Sequence, residues 1–227
     1  MTESHREIVL DTETTGFGVE DHRIIEIGCV EMVNKLPTGR TFHHYCNPER
    51  PIDFGSTKVH GITDEKVADA PKFRDIALSF LEFMGTSPLI AHNAEFDVSF
   101  INAELARAGH PAMTCEVIDT LAIAKQKLPG QRHNLDALCR HFNVDNSGRT
   151  FHGALLDAQL LADVYVELTG GLQATLELAA ETVTTTTVTT TAKGNGKIVT
   201  ATTSETTTHT DFLQTHIPNA LWTTDTN

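Results

Sequence analysis

Apolar residues recur along this chain in two rhythms, and the change from one to the other outlines a fold. Ile8-Val9-Leu10 is a short apolar run of the length a buried strand needs. "RIIEIGCVEMV" (Arg23–Val33) alternates in part and predicts a second strand. "GRTFHHYC" predicts a third, entered from a turn at Pro37-Thr38-Gly39. From Phe73 the spacing turns helical. "FRDIALSFLEFM" predicts a helix, "PLIAH" a short strand, and "VSFINAELARAG" a helix ending at Gly109. "EVIDTLAIAKQKL" then predicts a strand running into a helix, and "NLDALCRHF" another helix. "ALLDAQLLADVYVELTGG" predicts a last one, stopped by glycines. A three-strand meander followed by alternating helices and strands predicts an α/β domain, a mixed sheet flanked by helices.

Both rhythms end near Glu181. "TVTTTTVTTT" and "TATTSETTTHT" are threonine-rich, with too few apolar anchors to offset the entropy of ordering. The expected organisation is therefore a folded domain over 1–181, a flexible linker over 182–211 and a C-terminal tail over 212–227. Phe212, Leu213, Ile217, Leu221 and Trp222 make that tail a docking segment, because Trp and Phe are frequent interface anchors.

Charge and cysteine usage narrow the class. A formal net charge of −13 argues against a simple electrostatic binder of nucleic acid or anionic membrane. It does not argue against an enzyme that holds divalent cations, since bound metal reverses the local field. Cys29, Cys46, Cys115 and Cys139 are widely spaced without a CxxC pair, as expected of reduced core thiols. The N-terminus has no basic region followed by an apolar stretch, and no apolar run has membrane-spanning length. A soluble, cytoplasmic protein is expected.

The candidate chemistry begins at "IVLDTETTG". Asp11 and Glu13 are two residues apart on a strand, so their side chains share a face and repel unless a cation lies between them. Alone, this reads equally well as a solvated strand end. Two further sites tip the balance. "IAHNAEFDVSF" puts Asp97 at the start of a helix, and "FHGALLDAQLLAD" puts Asp157 one turn into the last helix with His152 just before it. His152, outside the helical ladder, is expected to swing while Asp157 stays fixed. Four carboxylates at strand ends and helix starts suit two magnesium ions, which take oxygen ligands and can clamp the attacking and leaving oxygens of a phosphodiester. An imidazole beside them can take the proton of the attacking water. Other acids and histidines read differently. Asp163 lies off the Asp157 face, Asp119 suits a helix cap or structural hydrogen bond, and His43 and His44 point to opposite faces. His92 reads as a hydrogen-bonded core residue, and Asn93 as a brace for the metal site.

"DTETTG", "HNAEFD" and "HGALLDA" resemble, in order, the three motifs of the DEDDh family of 3′→5′ exonucleases. "VHGIT" and "NLDALCRHF" are similar to the proofreading epsilon subunits of bacterial DNA polymerase III within it, and the likeness spans roughly residues 6–172. The resemblance implies a ribonuclease-H-like fold with a mixed five-stranded sheet. It implies two divalent cations, Mg2+ or Mn2+, one held by Asp11, Glu13 and Asp157 with Asp11 shared, the second supported by Asp97. It makes His152 the general base, and places Thr14, Thr15, Val59 and His60 at the terminal nucleotide with Phe96 along the strand's path. The "DFGSTK" loop before "VHGIT" departs from the family and leaves the nucleotide contacts there open. The implied partners are a DNA 3′ end, the polymerase alpha subunit through the C-terminal tail, and a theta-type accessory subunit. Gln173, Leu176 and Leu178 fit a loose sliding-clamp-binding pattern, as they fit a helix end or linker start. The main alternative is an RNA-directed member of the same family, of oligoribonuclease or tRNA-trimming type, since both nucleic acids present the same phosphodiester. A phosphatase of the DxDxT type lacks its downstream lysine and acidic pair here. A non-catalytic adaptor would not need all five site residues.

Overall fold

Strand β1 (Arg6–Thr14) is the axis of the molecule, flanked by β2 (Ile24–Val33) on one side and β4 (Leu89–Ala91) on the other. The computed structural model describes residues 5–171 and 201–216. With β3 (Leu36–Tyr45) and β5 (Val117–Asp119), the five strands lie in the order β3-β2-β1-β4-β5. The meander pairs antiparallel, while β4 and β5 run parallel to β1. Helices cover both faces, giving the mixed five-stranded, ribonuclease-H-like architecture expected from the sequence.

Two local expectations are corrected. The first strand does not stop at Leu10; pairing with β2 continues to Thr14, so Asp11 and Glu13 lie inside the ladder. The β2–β3 turn is not at Pro37-Thr38-Gly39 but at Asn34-Lys35, whose φ angles of 53° and 67° are both positive. Two successive left-handed residues match the twist of a tight hairpin, and Asn adopts that conformation readily. Between β3 and β4 lie α1 (Phe54–His60) and α2 (Asp64–Val67), for which the sequence pattern offered no expectation, and α3 (Phe73–Met84), which has the expected bounds.

Alternation along β1 divides the core in two. Ile8 and Leu10 face α3 and α4 (Ala94–Arg107) in a cluster with Phe73, Phe80, Phe100 and Leu105. Val9 faces the other way, onto α6 (Leu135–Phe142) and α7 (Ala154–Leu168), beside Leu138, Leu161 and Val164. Asp11 and Glu13 continue the Val9 register and therefore turn toward the α7 side. Helix α5 (Thr120–Lys127) follows β5 directly and is capped by the Asp119 carboxylate, which accepts from the Leu121 N–H at 2.9 Å. A half-buried ion pair anchors α4: Arg23 Nε and Nη2 donate to the buried Glu104 at 2.6 and 2.8 Å.

Cys29, Cys46 and Cys139 are buried and Cys115 half-buried, all as free thiols. No described helix is long and apolar enough to cross a membrane. The expected clamp-binding residues Gln173, Leu176 and Leu178 lie outside the described residues, as do positions 182–200 of the expected linker and Ile217, Leu221 and Trp222 of the tail. Helix α8 (Thr203–His216) crosses the expected boundary at 211/212. Its threonine hydroxyls donate to carbonyls four residues back, at Thr206, Thr207, Thr208 and Thr210, which satisfies the hydroxyls within the helix without strengthening it. Glu205 accepts from the Thr202 N–H and returns its own N–H to the Thr202 hydroxyl, closing a capping box.

Gly28 of β2, paired with Asp11, is where α7 meets the sheet. A Cβ there would lie 2.3 Å from the Leu155 nitrogen and 2.4 Å from the Ala154 carbonyl carbon. The missing side chain lets the first turn of α7 rest on the strand. Gly28→Ala is expected to destabilise the domain by about 1–3 kcal/mol through this overpacking, read as a lower midpoint in urea unfolding; an unchanged midpoint would contradict the contact.

Candidate active site

The acids expected to cooperate meet in one cleft of about 350 Å³, lined among others by Asp11, Glu13, Phe96, Asp97, His152 and Asp157. Each comes from a different argument about local structure. Asp11 and Glu13 project from β1 toward α7. Asp97 and Asp157 occupy the first turns of α4 and α7, where the positive end of the helix favours a carboxylate. Asp97 arrives from the opposite face of the sheet and is fixed by Thr12, whose hydroxyl donates to its Oδ1 at 2.7 Å. Thr12, between the two β1 acids, alternates onto the α4 side; it is a site residue not expected from the sequence.

Charge crowding is visible in the proton affinities. Burial first, then the charges of Asp97, Glu13 and Asp157, hold the Asp11 carboxyl well above the usual carboxylate range. Burial, with Asp157 and Glu26, pushes Glu13 up to about 8. Burial pushes Asp97 up to about 7 against the lowering effect of the Thr12 hydroxyl. Asp157 goes the other way: burial would raise it, but His152 and Arg149 beside it hold it below the ordinary value.

Arg149 was not anticipated. Its Nε and Nη2 each donate to one oxygen of Asp157 at 2.5 Å. The sequence carried a signal, a cation three residues before His152 in a chain of net charge −13. Asp136, in the first turn of α6, accepts from Arg149 Nη1 at 2.8 Å and is a second unanticipated lining residue. His152 is less free than expected. Its N–H donates to the Val59 carbonyl at 3.2 Å, and its ring bonds Arg149. The ring is nevertheless 46% exposed and faces the cleft.

Among the residues expected at a nucleotide, Phe96 lines the cleft, packed against Phe100 and Phe17. Val59 is exposed beside His152. The Thr14, Thr15 and His60 side chains are buried and bond inward, to the Gly16 carbonyl, to His22 and to the Ile62 N–H. His92 bonds Thr120 while lining the cleft. Asn93 is the left-handed cap of α4, its N–H held by Asp119. His43 bonds Glu26 and His44 packs at a tilt against Phe42, both outside the cleft. Asp163 is exposed on α7, likewise outside it.

The donor set suits a divalent cation. One ligating atom each from Glu13, His152 and Asp157 falls within 4.8 Å of the others, and hard carboxylate oxygens dominate around them. Mutually repelling carboxylates whose proton affinity is raised by one another fit a cation among them.

Comparison with known proteins matches this geometry to a class. The family model described as "Exonuclease" covers residues 8–165. Exonuclease X in complex with 5′ overhanging duplex DNA is similar in structure, with a TM-score of 0.57 and 28% identity over 71% of this chain and 90% of that one. In sequence, DNA polymerase III subunit epsilon of Rickettsia felis is 52% identical over 185 residues, 79% of this chain and 81% of the relative. The subunit of the same name from Escherichia coli K12 is 47% identical over 185 residues, 78% and 76% of the two chains. The chain belongs to the exonuclease family and, within it, to the metal-dependent 3′→5′ enzymes of the DNA polymerase III epsilon type.

The raised acids set a pH dependence. In the folded chain Asp11, Glu13 and Asp97 keep protons that the unfolded chain releases near pH 4. The native state thus binds more protons between these values, and stability falls as pH rises. With divalent cations chelated, the urea midpoint is expected to decline from about pH 5 upward, Asp97 contributing to about 7 and Glu13 to about 8. Asp157 opposes this only in acid, where protonation ends its stabilising contribution. A midpoint that climbs across pH 5 to 8 would contradict the assignment.

Proposed function

We propose that this chain removes mispaired nucleotides from DNA 3′ ends as the proofreading subunit of a replicative polymerase, releasing nucleoside 5′-monophosphates by hydrolysis assisted by two Mg2+ or Mn2+ ions. The observation that carries this reading is the meeting of Asp11, Glu13, Asp97, His152 and Asp157 in one cleft. The epsilon-named relatives favour it over the RNA-directed alternative.

Asp11, Glu13 and Asp157 would hold one ion and Asp97, with Asp11 shared, the second. Bound there, the ions supply charge stabilisation at the attacking and leaving oxygens of the phosphodiester. The chain's own residues do the rest. Asp97, locked by Thr12, and Asp157, locked by helix packing, keep their carboxylates in place as charge redistributes. His152, exposed at the cleft, takes the proton of the attacking water. Phe96, with the highly exposed Phe17 against it, offers an apolar wall for the unpaired strand. Val59, exposed beside His152, would meet the terminal nucleotide together with Thr14, Thr15 and His60.

A digest of 5′-labelled single-stranded DNA and RNA with Mg2+ tests the reading. DNA shortened one nucleotide at a time is expected, with no turnover in EDTA or in Asp11→Ala. His152→Ala is expected to lower the rate about 10²- to 10⁴-fold, the usual contribution of a general base. Substantial activity in EDTA would end the metal mechanism.

The segment beyond Glu181 is the proposed tether. Phe212 is exposed on α8, and Phe212, Leu213, Ile217, Leu221 and Trp222 supply apolar anchors for the polymerase alpha subunit. Clamp docking through Gln173, Leu176 and Leu178 and a theta-type partner belong to the same proposal. Truncation after Glu181 is expected to leave the rate on single-stranded DNA near wild type while abolishing co-purification with the polymerase. Unchanged polymerase affinity would end the tether reading.

A further inference from the structure

The Arg149 guanidinium occupies the ground between the carboxylate cluster and the imidazole, and its side chain is only 7% exposed. Nε donates to Asp157 Oδ1 and Nη2 to Asp157 Oδ2, so both oxygens of a proposed metal ligand are engaged. Nη1 donates to Asp136 Oδ1 at 2.8 Å, and Nη2 also donates to His152 Nδ1 at 2.8 Å.

Two consequences follow from chemistry alone. A cation that takes an Asp157 oxygen competes with the guanidinium for the same carboxylate, because Arg149 already engages both of its oxygens and two positive groups on one carboxylate repel each other. A guanidinium also has five donors and no acceptor, so in this contact His152 Nδ1 is the acceptor. Its lone pair is then occupied and the neutral ring carries its proton on Nε2. The longer approach of Nδ1 to Asp157 Oδ2, 3.4 Å, does not compete with the 2.8 Å bond. An imidazole held this way has no free nitrogen lone pair with which to accept a proton from water.

We propose that Arg149 is a positioning clamp that competes with a divalent cation for Asp157 and withholds His152 until the cation is bound. The inference rests on the metal-dependent reading above. Loss of the two Asp157 bonds removes what holds Nη2 beside His152, while Asp136 retains the guanidinium at the cleft wall through Nη1. Metal occupancy and release of the base are thereby one event. The clamp also neutralises Asp157 in a crowded acidic site, which accounts for an arginine being there at all.

The test is a Mn2+ titration of the full-length chain, followed by the EPR signal of free Mn2+, for wild type, Arg149→Gln, Arg149→Lys and Asp136→Asn. Arg149→Gln is expected to bind Mn2+ about ten- to a hundredfold more tightly, the range set by loss of a charge-assisted competing pair. Arg149→Lys keeps the charge without spanning both oxygens, and Asp136→Asn loosens the anchor; both are expected between the two limits. They carry the test if Arg149→Gln does not fold. In parallel, 15N spectra of the His152 ring report its hydrogen bonding. Wild type without Mg2+ is expected to show a hydrogen-bonded Nδ1 and a protonated Nε2, with the Nδ1 resonance moving on Mg2+ addition. In Arg149→Gln it is expected to be displaced before Mg2+ is added. A purely structural arginine would leave Mn2+ affinity and the Nδ1 resonance unmoved, and either result in the folded variants overturns the clamp. Absence of Mn2+ binding in wild type would overturn the metal-dependent reading and the clamp together; binding that no variant tightens would overturn the clamp alone.

Discussion

Mutual repulsion of carboxylates is the constraint around which this molecule is arranged. Asp11 and Glu13 share a face of β1, Asp157 approaches them from α7, and Asp97 reaches the same cleft from the other side of the sheet. Left to themselves, such groups separate into water. They stay together because each is mounted on an element whose position is determined elsewhere, in the apolar clusters on either face of the sheet. The unfavourable electrostatics is local, and the hydrophobic packing that overrules it is distributed.

Close approach is the second requirement. Two helices must bring their N-terminal turns to the middle of a strand pair, and each does so by its own device. For α7 it is the absence of a side chain at Gly28, across from Asp11, which lets the helix backbone rest on β2. For α4 it is the Arg23–Glu104 pair, together with the left-handed turn at Asn93 that Asp119 holds through the Asn93 N–H. Asp119 thus caps α5 and braces the entry to α4 at once. Carboxylates in first helical turns also gain from the helix dipole, which offsets part of the crowding.

A countercharge completes the arrangement. Arg149 divides its donors among Asp157, Asp136 and His152, so the loop before α7 is organised by the same acids that define the cleft. With His152 and Arg149 beside it, Asp157 is the one acid of the four with a lowered proton affinity. The cleft is therefore asymmetric, strongly ionised on the α7 side and prone to hold protons on the β1 and α4 side.

Much of this was legible in the one-dimensional pattern. Alternation and helical spacing located all five strands and the helices α3 to α7, because burial imposes a period of two or of 3.6 on any chain that must hide one face. The spacing of Asp11 and Glu13, and the placing of Asp97, His152 and Asp157 at helix starts, were equally visible, and so was the family they resemble. What the pattern did not contain depended on neighbours distant in sequence. The extension of β1 to Thr14 comes from pairing with β2, and the hairpin at Asn34-Lys35 from a twist that only the paired strands impose. Helix α8 lies within a threonine-rich run, its hydroxyls bonded back onto the helix, an arrangement that composition alone does not reveal. The roles of Thr12, Arg149 and Gly28 were decided by tertiary structure: a hydroxyl, a guanidinium and a missing methyl group acquire meaning only from what stands opposite them. The local period of a chain is set by its own residues, whereas the partners of a polar group are set by the packing of the whole.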